Sequence, residues 1–390
     1  VLPYLQRKAI RAGHNKTQIH TSLERMSVMT FISHAVSRRT VLAGAAFAAL
    51  AGFGRASISL ADAAKTGDAD VAKDENTVTA GTVTYTVDMT QYAEGIPVRL
   101  WLPVASDDDY QTITDVAFDA SGADFVEVTE DDLGNKMLAV VWNADAKPED
   151  RTVTCSFHVE RQAVTCPELV EEGEPGDDVA EYLEGSLMVP VNDQVIEVAE
   201  EICQGQDTYL GKARAIYDWI IANMDRDESV TGCGTGDVCI LLSSRAGKCT
   251  DISSVFVGLC RAVGVPARET FGIRMNADDI TKNQHCWSEF YLPGTGWVCA
   301  DPADVLKAVL KNDWSKDSDE CREKAEFYWG NLESERVGLS AGRDVTLNPA
   351  QSAGPLNNFG YPYAEVGNEA VDYYDPENFV YSIAFVADEA

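Results

Sequence analysis

The most regular hydrophobic pattern in the chain lies between residues 247 and 266. Apolar side chains recur there with helical spacing at Ile252, Val255, Phe256, Leu259, Cys260 and Val263. This spacing predicts a buried amphipathic helix. Gly264 and Pro266 end it, and Gly247 permits a tight turn just before it. Cys249 is therefore predicted to lie at the helix N-terminus, where the macrodipole favours a thiolate.

A predicted hairpin supplies the partners that a reactive thiol needs. Residues 285–291 alternate like a strand, residues 293–296 form a turn and residues 297–302 return as a second strand. The hairpin brings His285 and Asp301 to nearly the same level of neighbouring strands. A cysteine at a helix start, with His and Asp on paired strands, forms a Cys-His-Asp triad by role.

Three separated motifs carry a family resemblance. They are Gly247-x-Cys249-x-Asp251, then His285-x-Trp287-x-Glu289, then Gly296-Trp297 with Asp301-Pro302. In order and spacing they resemble the core of the transglutaminase-like superfamily, papain-related thiol enzymes that transfer or hydrolyse acyl groups. The strong match covers about residues 212–304, and a weaker one continues to residue 363. The resemblance implies a papain/transglutaminase-like α+β core in which the helix-borne cysteine packs on an antiparallel sheet.

The resemblance also implies roles for single residues. Cys249, His285 and Asp301 are the catalytic candidates, and the substrate-pocket candidates are Trp287, Trp297, Gly247 and Lys248. The alternatives are an inert buried cysteine and tryptophans that belong to the core. Many family members complete the oxyanion hole with a Trp or Gln in the interval 225–246, which here contains neither residue type. We predict no metal and no cofactor, because the chain has no EF-hand loop.

The region upstream of the predicted core has a different pattern. Short alternating segments between residues 83 and 164 predict an antiparallel β-sandwich-like accessory domain at 80–166. A second helical pattern at 208–224 is expected to pack against the Cys249 helix. We place the catalytic domain at 180–366 and a C-terminal strand segment at 367–390.

The first 63 residues indicate export. Arg38 and Arg39 precede a mild apolar run at 41–53, and a small-x-small cleavage site follows at 61–63. This order resembles a twin-arginine export signal, here with an upstream extension. The run is too short to span a bilayer, so no stable membrane span is expected in the mature chain. Residues 64–79 are predicted to be an acidic linker, and the protein is expected outside the cell, at the cell surface or in the periplasm.

Charge and cysteine usage limit the partners. The chain has 31 basic and 63 acidic residues and a formal net charge of −32. Nucleic acids and anionic membranes are poor partners for such a field, whereas a preference for cationic substrates stays open. Of the ten cysteines, Cys155–Cys166 and Cys233–Cys239 could pair in an exported protein. Zinc at the second pair is disfavoured because no CxxC pair is present.

These observations predict an exported thiol acyl enzyme that cleaves, or less favourably transfers, amide bonds of protein or cell-wall peptide. The alternative is a catalytically silent binding or scaffold module at the cell surface. The pKa of the Cys249 thiol distinguishes the two, because a nucleophile needs a depressed value.

Overall fold

The structure is a computed structural model, and it describes residues 77–389 apart from 121 and 167. These residues belong to one compact unit that spans 70–390. The predicted export signal at 1–63 and the linker up to residue 76 lie outside the described residues, so both stay predictions. Among the residues described, no helix is both long and apolar enough to cross a bilayer.

The first part of the chain forms a β-sandwich. Its strands are β1 (Val78–Asp88), β2 (Val98–Val104), β3 (Gln111–Asp119), β4 (Phe125–Glu130), β5 (Lys136–Trp142) and β6 (Thr152–Gln162). One sheet contains β1, β6 and β3, and the other contains β2, β5 and β4. Inward residues of both sheets, such as Tyr85, Leu100, Trp142 and Phe157, share one hydrophobic core. The alternation along these strands produces this core because successive side chains point to opposite faces.

Strands from the C-terminal part of the chain complete both sheets. They are β13 (Tyr363–Val366), β14 (Glu369–Ala370) and β15 (Val380–Ala387). β13 pairs with β2, and β15 pairs with β1 from Gly81–Ala387 to Asp88–Val380. Our domain boundaries assigned 363–366 to the catalytic domain and 367–390 to a separate segment, whereas both ranges supply sandwich strands. Alternation predicts a strand but carries no information about a partner nearly 300 residues away.

The rest of the chain forms the predicted α+β core. Its helices are α1 (Asp193–Ile202), α2 (Tyr209–Asn223), α3 (Val238–Ser244), α4 (Cys249–Ala262), α5 (Pro302–Asn312) and α6 (Asp319–Phe327). Its strands are β7 (Asp225–Arg226), β8 (Ala246–Gly247), β9 (Ala267–Arg274), β10 (Gln284–Leu292), β11 (Gly296–Ala300) and β12 (Arg336–Ala341). The antiparallel order β11-β10-β9-β12 forms a sheet on which α4 packs. The expected fold class is therefore confirmed.

Helix α4 is the central element of this core. Every residue from Cys249 to Cys260 is buried, because α1, α2 and α3 cover the faces that the sheet does not. The buried Ser254 hydroxyl lies 2.6 Å from both the Thr250 carbonyl and Glu269 Oε1, either of which can accept its proton, and it accepts from Arg343 Nη2 at 2.6 Å. Gly264 follows the helix at φ +83°, a left-handed conformation that glycine adopts without strain.

The sandwich and the core sheet are joined along β12. The Gln111 side chain exchanges two 3.0 Å hydrogen bonds with the backbone of Gly338. Val337 and Leu339 of β12, with Ile273 of β9, bury their side chains in the sandwich core. The sandwich is thus packed directly on the sheet that carries His285.

All ten cysteines are unpaired. Cys155 faces the sandwich core, whereas Cys166 lies beyond the strand end beside Gly330. Cys233 lies next to Cys249, and Cys239 accepts a hydrogen bond from Asn192 on α1's cap at 3.3 Å. Neither suggested disulfide is formed. The two thiols of each pair are close in sequence, but the fold places them in different surroundings.

The contribution of β15 can be tested with two residues of the same strand. Ile383 is buried in the sandwich core, whereas Val386 is 68% exposed. Ile383→Ala should lower the free energy of unfolding by about 2–5 kcal/mol, because it leaves a cavity. Val386→Ala, the matched control, should change it by less than about 0.5 kcal/mol. Urea unfolding measures both, and equal effects would contradict the placement of β15.

Candidate active site

A cleft with a volume of about 580 Å³ opens at the N-terminus of α4. Cys249 and His285 both line it. The connection between β9 and β10 forms one wall, and residues 373–381, which lead into β15, form another. Pockets of this volume hold small ligands or a few peptide residues.

Cys249 is the first residue of α4 and is 2% exposed. The turn before it is held by Asp251, whose carboxylate accepts hydrogen bonds from the amides of Lys248 at 3.0 Å and Gly236 at 2.8 Å. The amide of Thr250 donates to the carbonyl of Cys233 at 2.9 Å. These bonds place the thiol at the positive end of the helix dipole, as the sequence predicted.

His285 and Asp301 contact each other directly. His285 Nε2 lies 2.8 Å from Asp301 Oδ2, and both side chains are buried. The hairpin register pairs Ser288 with Ala300, so His285 and Asp301 meet diagonally at its open end. The other oxygen of Asp301 accepts the amide of Asp304 at 3.0 Å and caps α5. The carboxylate is therefore fixed by the fold and does not depend on the imidazole for its position.

A buried ion cluster lies behind this pair. Arg336 is fully buried and donates to Asp301, to Asp304 at 2.6 Å and to Glu333 at 2.7 Å. Arg274 also pairs with Asp304. Burial and the neighbouring Asp304 charge raise the pKa of Asp301, but His285 and Arg336 outweigh them, and the pKa of Asp301 lies below its usual range. Asp301 is therefore an anion at neutral pH.

The surroundings of Cys249 favour its thiolate. The thiols of Cys233 and then Cys286, followed by His285, hold the pKa of Cys249 well below the ordinary range against the opposing effect of burial. The same contact with Cys249, together with burial, raises the pKa of Cys233 well above its usual value. Cys286 shifts upward as well, with burial as the main cause. One thiolate thus faces two thiols that keep their protons.

His285, Asp301 and Asp304 also place one ligand atom each within 4.8 Å of the others. This donor set could in principle hold a metal ion. However, Arg336 already pairs with both carboxylates, and Arg274 pairs with Asp304. A cation placed there would face two buried guanidiniums, so the arrangement fits an ion-pair cluster better than a metal site.

Of the four substrate-pocket candidates, only Lys248 lines the cleft. Gly247 lies behind the cleft, where the Asp251 side chain approaches so closely that a Cβ would collide with it. Gly247 therefore serves the turn that positions Cys249, which differs from the pocket role that we expected.

The two tryptophans also lie outside the cleft lining. Trp287 is 2% exposed, and its Nε1 donates to Glu289 at 3.3 Å. Trp297 lies under the guanidinium of Arg268 at 4.1 Å and contacts the edge of Tyr182. Our expectation that they form pocket walls is wrong for the cleft described, because their strand positions direct them to other surfaces. Both match the alternative of structural packing.

Several residues of the cleft were not predicted as site residues, although the weaker part of the family resemblance reaches Tyr361. The Tyr361 hydroxyl donates to Cys233 Sγ at 3.1 Å, and Tyr373 stacks on Tyr361 with ring centroids 4.7 Å apart. Phe379 and Tyr381 also line the cleft. All four lie far along the chain from Cys249, and tyrosines in alternating segments indicate strands before they indicate a site.

Comparison with known proteins identifies a family. The model of the transglutaminase-like superfamily matches residues 196–302. An uncharacterised protein of Haemophilus influenzae is 35% identical over 328 residues, which cover 77% of this chain and 89% of the relative.

Two solved structures were also matched. A Cytophaga hutchinsonii protein, provisionally assigned as a cysteine protease, is 19% identical, with 80% of this chain and 98% of that chain covered and a TM-score of 0.48. The periplasmic domain of TgpA from Pseudomonas aeruginosa is 13% identical, with 63% and 98% covered and a TM-score of 0.34.

The pH dependence of alkylation tests the electrostatics of the site. Cys249 should react with iodoacetamide with an apparent pKa well below the ~8.5 of a free thiol. Cys286→Ala should raise the pKa of Cys249, because it removes a donor to the thiolate, whereas Cys286→Ser retains a donor and is the matched control. Mass spectrometry of the Cys249 peptide across pH measures each value. A wild-type midpoint at the free-thiol value would contradict the assignment.

Proposed function

Because the chain belongs to the transglutaminase-like superfamily, we propose that it is an exported thiol acyl enzyme that hydrolyses amide bonds of protein or cell-wall peptide. One observation carries this proposal: the pKa of Cys249 is depressed at the head of α4, beside an imidazole that bonds Asp301 at 2.8 Å. A thiolate that persists at neutral pH is a nucleophile, and an oriented imidazole is a proton donor and acceptor.

The first half of the reaction forms a thioester. The Cys249 sulfur attacks the amide carbonyl, and the carbonyl electron pair moves onto its oxygen. When the carbon–nitrogen bond breaks, protonated His285 gives its proton to the departing amine. Asp301 holds the ring in the required tautomer and stabilises its positive charge.

The second half releases the acid. His285, now neutral, takes a proton from water as the water oxygen attacks the thioester carbonyl. The carbon–sulfur bond breaks, the carboxylic acid leaves, and Cys249 and His285 return to the thiolate–imidazolium pair. We assign water as the acceptor, in preference to an amine, because water is abundant outside the cell.

The oxyanion in both halves needs hydrogen-bond donors. The backbone N–H of Cys249 lies at the exposed dipole end of α4 and supplies the first. The interval 225–246 contains no Trp or Gln. We assign the second donor to the Cys233 thiol, which keeps its proton next to Cys249. It donates to the Gln284 carbonyl at 3.4 Å and would turn from it to the oxyanion once the sulfur is acylated.

A catalytically silent binding module is the second candidate. The absence of Trp and Gln from the interval 225–246 motivates it. The depressed pKa of Cys249 favours the enzyme, because a module without chemistry has no use for a stabilised thiolate beside a braced imidazole.

The enzyme is tested by replacing single site residues. Cys249→Ala should abolish peptide hydrolysis and acyl-enzyme formation, since no nucleophile remains. Asp301→Asn should lower kcat/KM by roughly 10²–10⁴, because the imidazole loses its orientation and charge partner. Cys260→Ala, on the same helix but far from the cleft, is the matched control and should stay active. Cleavage of a peptide library, followed by mass spectrometry, measures each variant. Full activity in Cys249→Ala would exclude the mechanism.

The export signal needs a separate experiment. With Arg38→Lys and Arg39→Lys combined, the precursor should accumulate inside the cell, because a twin-arginine pathway recognises the arginine pair. Fractionation and immunoblotting of the cell and medium measure this, with Lys8→Arg as a control upstream of the pair. Unchanged secretion of the double variant would exclude a twin-arginine signal.

A further inference from the structure

The cleft that contains Cys249 has a charge opposite to that of the whole chain. Its basic lining residues are Arg226, Lys248, Arg274, Lys282 and Lys307, and its one acidic lining residue is Glu228. The chain as a whole has 31 basic and 63 acidic residues. A basic cleft in so acidic a protein concentrates positive potential at the site where the substrate must bind.

Some of these cations are already neutralised. Arg274 pairs with the buried Asp304. The Glu228 carboxylate accepts a hydrogen bond from Arg226 Nε at 2.8 Å and lies 3.5 Å from Lys248 Nζ, so one carboxylate is shared between two cations. Within the described residues, Lys282 and Lys307 form no ion pair within 4.0 Å, although Lys307 is near enough to Asp304 to lower its pKa. The basic residues of the cleft still outnumber Glu228, Asp304 and the Cys249 thiolate, which itself acts on Arg226.

Arg226 retains unused hydrogen-bonding capacity next to the nucleophile. Its side chain is 9% exposed, and its Nη1 is buried without a hydrogen-bond partner among the described residues. Its strand β7 pairs Arg226 with Gly247, two residues before Cys249. A buried guanidinium nitrogen without an acceptor is costly, and a carboxylate in the cleft would supply one.

The residues of segment 373–381 that line the cleft are uncharged, as is Tyr361. Tyr361, Tyr373 and Tyr374 form an aromatic group with ring centroids 4.4–5.3 Å apart. An uncharged peptide segment fits against such rings, whereas a second carboxylate does not. The two walls together match a ligand with an anionic group on one side and an uncharged backbone on the other.

We infer that the substrates are anionic: amides that carry a carboxylate close to the scissile bond, bound by Arg226, Lys248 and Lys307. This rests on the proposed function for the chemistry, while the anion site itself is independent of it. The inference replaces the preference for cationic substrates that net charge alone left open. A side-chain carboxylate and a C-terminal carboxylate offer the same chemistry, and the experiment separates them.

Binding is measured first, with full-length Cys249→Ala protein so that no peptide is consumed. Two pools of acetylated and amidated heptapeptides differ only in a central Glu or Gln, and a third Gln pool has a free C-terminal carboxylate. Affinity selection should retain the Glu pool at least about fivefold better than the amidated Gln pool at low salt. The preference should shrink at about 0.5 M NaCl, where charges are screened. Retention of the third pool would assign the site to a C-terminal carboxylate.

Variants attribute the preference to the cleft. Lys307→Gln and Arg226→Gln should each bring the Glu-to-Gln ratio towards one. Lys311→Gln, on the same helix as Lys307 but outside the cleft lining, is the matched control and should leave the ratio unchanged. Lys307 is only half-buried on α5, so Lys307→Gln should still fold. A change in its Glu-to-Gln ratio then reports loss of the anion site and not unfolding.

The same pools, incubated with the wild-type protein, separate the two claims. Equal retention of all three pools, or retention of no peptide, would overturn the anion site whatever the activity. Cleavage of both pools at equal rates would uphold the enzyme and overturn the inference. Selective retention of the Glu pool without any cleavage would uphold the anion site and overturn the proposed chemistry.

Discussion

The structure of the site depends on compensation of charge among buried groups. Asp301, Asp304 and Glu333 converge there on Arg274 and Arg336, and an unpaired ion at such depth would cost several kcal/mol. Of these three carboxylates, Asp301 also bonds His285 Nε2 at 2.8 Å, so an anion faces the imidazole ring. This contact holds the imidazole ring that lies beside Cys249.

This cluster also explains why the sandwich matters to the site. Arg336 begins β12, the strand that buries Val337 and Leu339 in the sandwich core and bonds Gln111. The family model ends at residue 302, before this arginine. The position of the imidazole therefore depends on residues outside the recognised family core, and the sandwich takes part in positioning it.

The sequence was informative where the determining interactions are local. Helical periodicity located α4, and the turn at 293–296 set the hairpin that carries His285 and Asp301. It was uninformative where partners are distant. Nothing in the sequence distinguishes Arg336 from the other arginines, and the strands from residue 363 onward have no local sign of their partners. Trp287 and Trp297 were assigned to the cleft only because they are aromatic residues next to a catalytic motif. The basic cleft could not be predicted from the net charge, because net charge sums over the whole chain and does not show where the charges lie.

Because residues 379–381 form part of the cleft wall, the cleft is completed only at the end of chain synthesis. Phe379, Val380 and Tyr381 line the cleft, and β15 also anchors the β9–β10 connection, because Ile280 donates to Ile383 and Phe385 donates to Asp278, each at 2.9 Å. A nascent chain that has not reached these residues already carries the thiol and the imidazole but has no closed groove around them. A truncated product released by the ribosome would therefore carry Cys249 and His285 without a formed cleft around them.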